Sequence, residues 1–201
     1  MLSADLTFPR RTSGNAKLKR LLDIVCALGG LLVVAPLLAV VALAVLLDDG
    51  RPVLFRQERV GRNGTRFDIL KFRSMRVQPH GAGPLLTAAG DSRLTRVGRV
   101  IRRWKLDELP QLLNVLRGEM SLVGPRPITL DELPRYGQVR WHYLSVRPGM
   151  TGLWQVSGRN DTTYAERVEL DRRFVEDSSL RMRFGILVRT LRVVVLGSGA
   201  R

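Results

Sequence analysis

The hydropathy pattern of the chain is dominated by one uninterrupted apolar segment near its beginning. Residues 24–47 are 24 positions without a charged side chain. As an α-helix this segment would be about 36 Å long, against a bilayer hydrocarbon core of about 30 Å. It is longer than the apolar part of a signal peptide and has no obvious small-residue cleavage site before Asp48. The pattern therefore predicts a membrane helix.

Two features distinguish a bent membrane helix from a straight span. Pro36, near the middle, removes a backbone donor and clashes with the preceding turn, which predicts a kink. Both flanks are basic, with five Lys or Arg against two acids in residues 1–23 and seven against four in residues 48–73. The positive-inside rule would keep both flanks in the cytoplasm. We therefore favour a re-entrant helix that enters the membrane and returns; a single spanning anchor is the alternative.

The pattern after this segment predicts a small hairpin and a loop. Residues 53–60 and 65–75 have strand patterns on either side of Asn63-Gly64, the favoured pair for a type I′ hairpin turn. Residues 77–90 are rich in Gly, Pro and Ala, which predicts a mobile loop.

Two amphipathic helices are predicted later in the chain. The first begins with a cap at position 91 or 92, runs to about residue 105, and carries four arginines opposite an apolar arc. The second begins at Ser178 or Ser179 and ends before Gly197. Basic amphipathic helices suit an anionic membrane surface, and packing against a protein core is the alternative.

The net charge and the cysteine content limit the kinds of binding partner and metal site to be expected. The 201-residue chain has 33 Lys and Arg against 18 Asp and Glu, a net charge of +15, which favours polyanionic partners. The sequence contains no zinc finger, helix-turn-helix signal or aromatic RNA platform, so we do not expect nucleic acid. Cys26 is the only cysteine, and His80 and His142 lack ligand spacing, so no Cys or His metal cluster is expected.

The candidate chemistry lies at two adjacent carboxylates, Asp107 and Glu108. We predict that Asp107 caps the helix that carries residues 109–116, with Pro110 in its first turn. Amide groups and the helix dipole at that end favour negative charge and would lower a carboxylate pKa. Such a carboxylate suits a nucleophile or metal ligand, and the same position can receive a phosphate. A cap with no chemical role is the alternative.

Four motifs occur in order around this pair. They are Lys71-Phe-Arg-Ser-Met75, the segment 106–119 with its Asp-Glu pair, Gly124-Pro-Arg-Pro127, and the segment 147–160, Arg-Pro-Gly-Met-Thr-Gly-Leu-Trp-Gln-Val-Ser-Gly-Arg-Asn. Together with the apolar helix interrupted by a proline, they resemble the bacterial sugar transferases, which are monotopic polyprenyl-phosphate phosphoglycosyltransferases. The resemblance covers about residues 17–195. It is closest to the undecaprenyl-phosphate hexose-1-phosphate transferases of exopolysaccharide pathways.

The resemblance implies a reaction and a place in the cell. A sugar 1-phosphate would pass from a UDP-sugar to polyprenyl phosphate with release of UMP, as the first membrane step of exopolysaccharide or other glycoconjugate assembly. Asp107 matches the family nucleophile, which forms a phosphosugar-aspartyl intermediate. Glu108 matches the partner carboxylate associated with Mg²⁺, with Asp107 as a second metal contact, and Arg126 matches an arginine that meets a phosphate. The location implied is the cytoplasmic face of the bacterial inner membrane; homo-oligomerisation is left open.

Further residues are candidates for substrate binding. Lys71 and Arg73 are two apart on a predicted strand, so they face the same side and could reach a diphosphate. Glycine turns in the segment 147–160 would let the backbone approach a ligand closely. The candidates in that segment are Arg147, Gln155, Arg159 and Asn160, with Trp154 as a residue that could stack on uracil.

The fold expected is an α-rich α/β membrane-associated domain. Residues 1–50 would form the N-terminal segment and re-entrant membrane helix, and residues 51–201 a cytoplasmic catalytic domain seated on the membrane. The chain departs from the family at the kink, where Ala35-Pro36 replaces a common Ser-Pro, so a serine hydroxyl that could help satisfy the broken helix is absent. The alternative function is a non-enzymatic basic membrane-surface adaptor, which gives no reason for the Asp-Glu pair.

Overall fold

A computed structural model of the chain describes residues 14–76, 91–158, 162–177 and 179–195. The predicted loop 77–90 therefore lies outside the described residues. The helices and strands in chain order are α1 (Gly14–Asp49), β1 (Leu54–Val60), β2 (Arg66–Phe72), α2 (Arg96–Arg103), α3 (Gln111–Arg117), β3 (Ser121–Val123), α4 (Arg140–Leu144), β4 (Gly149–Thr151), α5 (Leu153–Val156), α6 (Tyr164–Glu176) and α7 (Leu180–Val195). Short 3₁₀ segments occur at Arg62–Gly64, Leu106–Glu108 and Leu130–Val139. The helix-rich α/β architecture with a long apolar N-terminal helix and small sheets is confirmed.

The long helix α1 runs for 36 residues through Pro36. By length and composition it can cross a membrane. One face packs on the rest of the chain at helical spacing, through Asp23, Ala27, Leu31, Val34, Leu38, Val41 and Val45. The opposite face is apolar and exposed, and Val33 and Leu47 keep 80% and 78% of their surface accessible. The kink at Pro36 stays a prediction.

Both ends of α1 are bound to the same globular part. Near its beginning, the Asp23 carboxylate accepts from Ser121 Oγ at 2.8 Å and from Leu122 N at 3.1 Å. At its last residue, the Asp49 carboxylate lies 3.1 Å from the Arg73 guanidinium.

The core of the described residues is divided among four clusters of buried apolar side chains. The first lies between α1, β2 and α3: Ala27, Phe67, Ile69, Leu112, Val115 and Met120. The second joins the hairpin to α4: Val60, Ile128, Tyr136, Tyr143 and Leu144. The third lies beneath α7: Val123, Val146, Phe174, Val175 and Ile186. The fourth lies between the second half of α1, β2 and α2: Val41, Val45, Phe72 and Ile101.

The predicted hairpin is present, but its turn is longer than expected. Strands β1 and β2 pair antiparallel in the register that sets Val60 opposite Arg66. The connection is therefore the five residues 61–65, which contain a 3₁₀ turn rather than a two-residue type I′ turn. Asn63 and Gly64 both have positive φ, which explains the Asn-Gly signal.

Helix α2 starts later than the sequence indicated. Its cap is Thr95, whose hydroxyl accepts from Gly98 N at 2.8 Å, not a residue at position 91 or 92. On the predicted apolar arc of Leu94, Val97, Ile101 and Trp104, Ile101 is buried whereas Trp104 is exposed, so the arc is only partly covered.

Helix α7 begins near the predicted serine cap. The Ser179 hydroxyl accepts from Met182 N at 3.2 Å. Ser178, the other candidate cap, lies outside the described residues, as does the predicted stop at Gly197.

The parallel pair β3 and β4 depends on close backbone contact at glycine. A Cβ added to Gly149 would lie 2.0 Å from Gly124 N, and one added to Gly152 would lie 2.1 Å from Gly124 O. These glycines let one backbone approach another, not a ligand as the sequence suggested. The contact fixes the Gly-Pro-Arg-Pro turn that follows β3.

Candidate active site

The Asp-Glu pair lies in the 3₁₀ turn Leu106–Glu108, between α2 and α3. The predicted capping role of Asp107 is wrong, because Pro110 occupies the N-cap position of α3. The turn satisfies its amides through backbone carbonyls; Leu109 N donates to Leu106 O at 3.3 Å. Oδ1 of Asp107 has no hydrogen-bond partner among the described residues, although it is buried. The tight turn thus leaves a carboxylate oxygen available for chemistry.

The two carboxylates have opposite electrostatic environments. Asp107 is only 7% exposed, and its burial, together with the charge of Glu108, raises its pKa to about 6. Burial also disfavours ionised Glu108, but the charges of Lys71 and Arg126 outweigh it and hold the pKa of Glu108 below its usual range. The expected lowering of the Asp107 pKa is therefore wrong, because burial dominates where no helix end helps. Two neighbouring acids whose pKa values are driven apart are typical of divided chemical roles.

Strand β2 brings one cation to this pair. Lys71 Nζ donates to Glu108 Oε1 at 2.8 Å, with both side chains mostly buried. Arg73 lies elsewhere, because its buried guanidinium binds the end of α1 through Asp49 and the Gly50 carbonyl at 2.9 Å. The structure therefore separates two residues that the strand pattern placed on one face.

Asn114 is a positioning residue that the sequence reasoning missed. It is fully buried in α3, and its Oδ1 accepts from Leu70 N at 3.0 Å. Its Nδ2 donates to Asp68 O at 2.7 Å and to Glu119 Oε2 at 2.6 Å. These bonds join α3 to β2 and so hold the turn with Glu108 opposite Lys71. The available signal was a poor helix former inside an apolar helix.

Arg126 brings a second cation from the turn after β3. It lies close enough to lower the pKa of Glu108, and its Cζ is 5.7 Å from the centroid of the Trp154 ring. Asp107, Glu108, Lys71 and Arg126 are thus brought into one region of the molecule. Two carboxylates flanked by two cations can accommodate a phosphate and neutralise its charge.

The remaining predicted residues have other positions. Arg147 Nε donates to Gly118 O at 2.7 Å, so it caps the end of α3 away from Asp107. Gln155 is buried in α5 beside Gly152. Arg159 and Asn160 lie outside the described residues.

The oxygen donors of this site suit a metal ion that also binds substrate phosphates. Within the described ranges no group of three His, Cys, Asp or Glu side chains could form an all-protein metal cage. Mg²⁺, however, is usually held by one or two carboxylates together with substrate phosphates. The unpaired Oδ1 of Asp107 and the neighbouring Glu108 carboxylate fit that requirement.

Comparison with known proteins agrees with these motifs. The chain is 45% identical over 198 residues to the undecaprenyl-phosphate galactose phosphotransferase of Salmonella typhimurium, covering 91% of this chain but 41% of that protein. It is 42% identical over 197 residues to the exopolysaccharide production protein ExoY of Rhizobium meliloti, covering 90% and 87%. It is 44% identical over 181 residues to the UDP-glucose:undecaprenyl-phosphate glucose-1-phosphate transferase of Caulobacter vibrioides, covering 86% and 68%. The chain therefore spans less than half of some curated relatives and most of others.

The family match covers the whole region in which the site is built. The model of the family described as bacterial sugar transferase matches residues 14–197, from the start of α1 to just beyond α7. That range includes the Asp-Glu turn, the hairpin that supplies Lys71 and the turn that supplies Arg126. The chain belongs to the bacterial sugar transferase family.

Proposed function

We propose that the protein transfers a hexose 1-phosphate from a UDP-sugar to undecaprenyl phosphate and releases UMP. The observation that carries this proposal is the Asp107-Glu108 turn, in which a buried carboxylate with an unpaired oxygen lies beside a carboxylate held by Lys71. The names of the Salmonella and Caulobacter relatives, which cite undecaprenyl phosphate and galactose or glucose, support the substrate classes.

The proposed reaction has two displacement steps at one phosphorus atom. First, an Asp107 oxygen attacks the β-phosphorus of the UDP-sugar, forming an acyl phosphate bond as the bond to the α-phosphate oxygen breaks and UMP leaves. Second, an oxygen of the lipid phosphate attacks the same phosphorus, and the Asp107 carboxylate is released. Covalent catalysis of this kind divides one difficult transfer into two easier steps. The raised pKa of Asp107 supports its role as the nucleophile, because a more basic carboxylate attacks more readily once ionised.

Lys71 and Arg126 have different roles in the proposed reaction. Lys71 keeps Glu108 ionised and oriented, and Arg126 neutralises charge on phosphate oxygens. Glu108 and Asp107 would hold Mg²⁺, which when bound supplies further charge neutralisation at the phosphates.

We further propose that α1 enters the cytoplasmic leaflet of the inner membrane and returns. Its apolar outer face supports insertion, and the contacts of both its ends with one globular part support a return to the same side. Exposed apolar side chains on α7, among them Phe184 and Leu191, would rest at the same interface.

The test is UMP release from UDP-glucose and UDP-galactose with undecaprenyl phosphate in lipid vesicles. Wild type should release UMP, Asp107→Asn should lose turnover by at least about 1,000-fold, and Asp131→Asn, at an exposed carboxylate, should match wild type. With radiolabelled donor and no lipid acceptor, label should remain on wild-type protein but not on Asp107→Asn. Turnover that survives in Asp107→Asn would exclude this nucleophile. Full complementation by a variant lacking both carboxylates would favour the adaptor instead.

A further inference from the structure

Three arginines form a group that includes Arg126, whose charge reaches Glu108 of the Asp-Glu turn. Arg167 of α6 and Arg126 both contact the Trp154 ring, with Cζ-to-centroid distances of 4.8 Å and 5.7 Å. Arg59 of β1 belongs to the same group, since its burial and the nearby charge of Arg126 lower its pKa. The Trp154 indole is itself fixed, because its Nε1 donates to Thr162 Oγ1 at 2.7 Å. Two guanidinium groups thus contact one ring that a hydrogen bond holds in place, and a third, that of Arg59, lies near Arg126.

The acidic side chains near this group are engaged incompletely or elsewhere. Glu132 accepts from Arg59 Nη1 at 3.5 Å and from Arg167 Nη1 at 3.4 Å, both at the outer limit of a hydrogen bond. A second carboxylate, Asp171, whose charge also reaches Arg167, accepts the Tyr136 hydroxyl through Oδ2 at 2.7 Å, and its Oδ1 has no hydrogen-bond partner among the described residues. Arg59 also donates from Nη1 to Pro127 O at 3.3 Å and from Nη2 to Gln57 Oε1, so the unused donor capacity lies mainly on Arg167.

Several buried donors of this group are unpaired. Within the described part of the chain, Nε and Nη2 of Arg167 and Nε of Arg59 have no hydrogen-bond partner. The Arg167 side chain is only 10% exposed, so water does not easily compensate for the missing bonds. A buried guanidinium with free donors is costly unless an oxygen-rich anion completes its hydrogen bonds.

We propose that Arg167, together with Arg59 and Arg126, forms a phosphate subsite next to the Asp107-Glu108 turn. This inference rests on the proposed function, in which the phosphorus attacked by Asp107 always has a second phosphate nearby. The planar fork of arginine matches the oxygens of a phosphate in two directions at once. Arg126 lies within electrostatic reach of both Glu108 and Asp171, so the subsite is continuous with the region of the Asp-Glu pair.

Both proposed substrates contain a phosphate group that this subsite could bind: the UDP-sugar through its diphosphate, and the lipid through its single phosphate. The experiment therefore measures both Michaelis constants separately in Arg167→Gln and Arg167→Lys. The matched control is Arg172→Gln on the same helix, because Arg172 pairs with Glu169 at 2.7 Å on the exposed side of α6. Thermal unfolding of each variant reports whether it is folded.

Arg167→Gln should lose the affinity that one charge-assisted hydrogen bond to phosphate provides. Arg167→Gln should raise the KM of one phosphate substrate by about 10- to 100-fold, and Arg172→Gln should change neither. A rise for the UDP-sugar alone assigns the subsite to the nucleotide diphosphate, and a rise for undecaprenyl phosphate alone assigns it to the lipid. Arg167→Lys keeps the charge but loses the fork, so it should show a smaller rise in the same substrate. It also serves as the test variant if Arg167→Gln does not fold.

Binding of UMP and inorganic pyrophosphate, measured by calorimetry, gives a readout that does not need turnover. Arg167→Gln should weaken binding of at least one of the two by about 10-fold or more. Unchanged Michaelis constants and unchanged binding in a folded Arg167 variant would overturn the subsite, and so would a lower kcat with both Michaelis constants intact. A wild-type protein that binds pyrophosphate through Arg167 but releases no UMP would instead refute the proposed function.

Discussion

Replacement of Asn114 by alanine should separate the two halves of the active site. Asn114 is the one residue of α3 seen to bond the open edge of β2, through Leu70 N at 3.0 Å and Asp68 O at 2.7 Å. In Asn114→Ala the Leu70 amide loses its partner at a buried position, and the Asp68 carbonyl loses its partner at a partly buried one. Each such loss costs about 1–3 kcal/mol, and local relaxation offsets part of it, so we expect a total of about 3 kcal/mol.

That loss corresponds to a fall in Tm of about 6–12 °C for a chain of this size. Thermal unfolding followed by tryptophan fluorescence in lipid nanodiscs measures it, at one scan rate for all variants. Arg117→Gln, at an exposed position of the same helix, is the control and should stay within about 0.5 kcal/mol of wild type. UMP release below both midpoints should also fall, because Lys71 no longer faces Glu108 in a fixed geometry. A Tm within 2 °C or so of wild type would refute the role assigned to the Asn114 amide.

Three further predictions test packing, charge and membrane geometry. Gly149→Ala would set a Cβ 2.0 Å from Gly124 N, just after β3, and should destabilise the fold by at least about 3 kcal/mol. Gly185→Ala, with nothing within 4 Å of the added Cβ, should stabilise α7 by about 0.5–1 kcal/mol, and chemical denaturation compares the two variants. Burial raises the pKa of Asp171 from 3.8 to about 6, so its contribution to stability is full below pH 4 and is lost as the pH rises through 6. Asp171→Asn should remove this contribution, which is a change of about 3 kcal/mol in the free energy of unfolding between pH 4 and 7, measured by unfolding titrations at both pH values. An identical pH profile in wild type and Asp171→Asn would contradict the prediction. Cysteines placed at Lys17 and Arg51, in a background without the native cysteine, should both react with a membrane-impermeant reagent only after the cytoplasm is opened; opposite accessibility would exclude a re-entrant α1.

The sequence predicted best what depends on local patterns. An uninterrupted apolar run is sufficient to identify α1, and alternation with an Asn-Gly pair is sufficient to locate the hairpin. The prediction that Asp107 caps α3 was wrong, because an Asp-Glu pair before Leu-Pro is compatible with both a helix cap and a 3₁₀ turn. In the structure, backbone carbonyls accept from the amides of the turn, and no local sequence pattern distinguishes this arrangement from a side-chain cap.

Long polar side chains were the hardest to place. Arg73 and Arg147 both bind backbone carbonyls at the ends of helices, α1 and α3, that are distant in sequence. The strand pattern fixes which side a residue faces, but the partner on that side is set by how the elements pack. Asn114 was missed for the same reason, because its partners on β2 lie 44 and 46 positions away.

The membrane helix and the candidate active site are parts of one packed structure. Ala27 of α1 belongs to the same core cluster as Leu112 and Val115 of α3, the helix that follows the Asp-Glu turn. At the other end of α1, the Asp48 carboxylate accepts from Val97 N at 2.9 Å and so holds α2, the helix that precedes the turn. Because α1 contacts both elements that flank Asp107 and Glu108, the depth of its apolar face in the membrane would also set the depth of the two carboxylates. A reaction between a dissolved nucleotide sugar and a lipid phosphate needs that coupling, because the phosphate head of the lipid stays at the membrane surface.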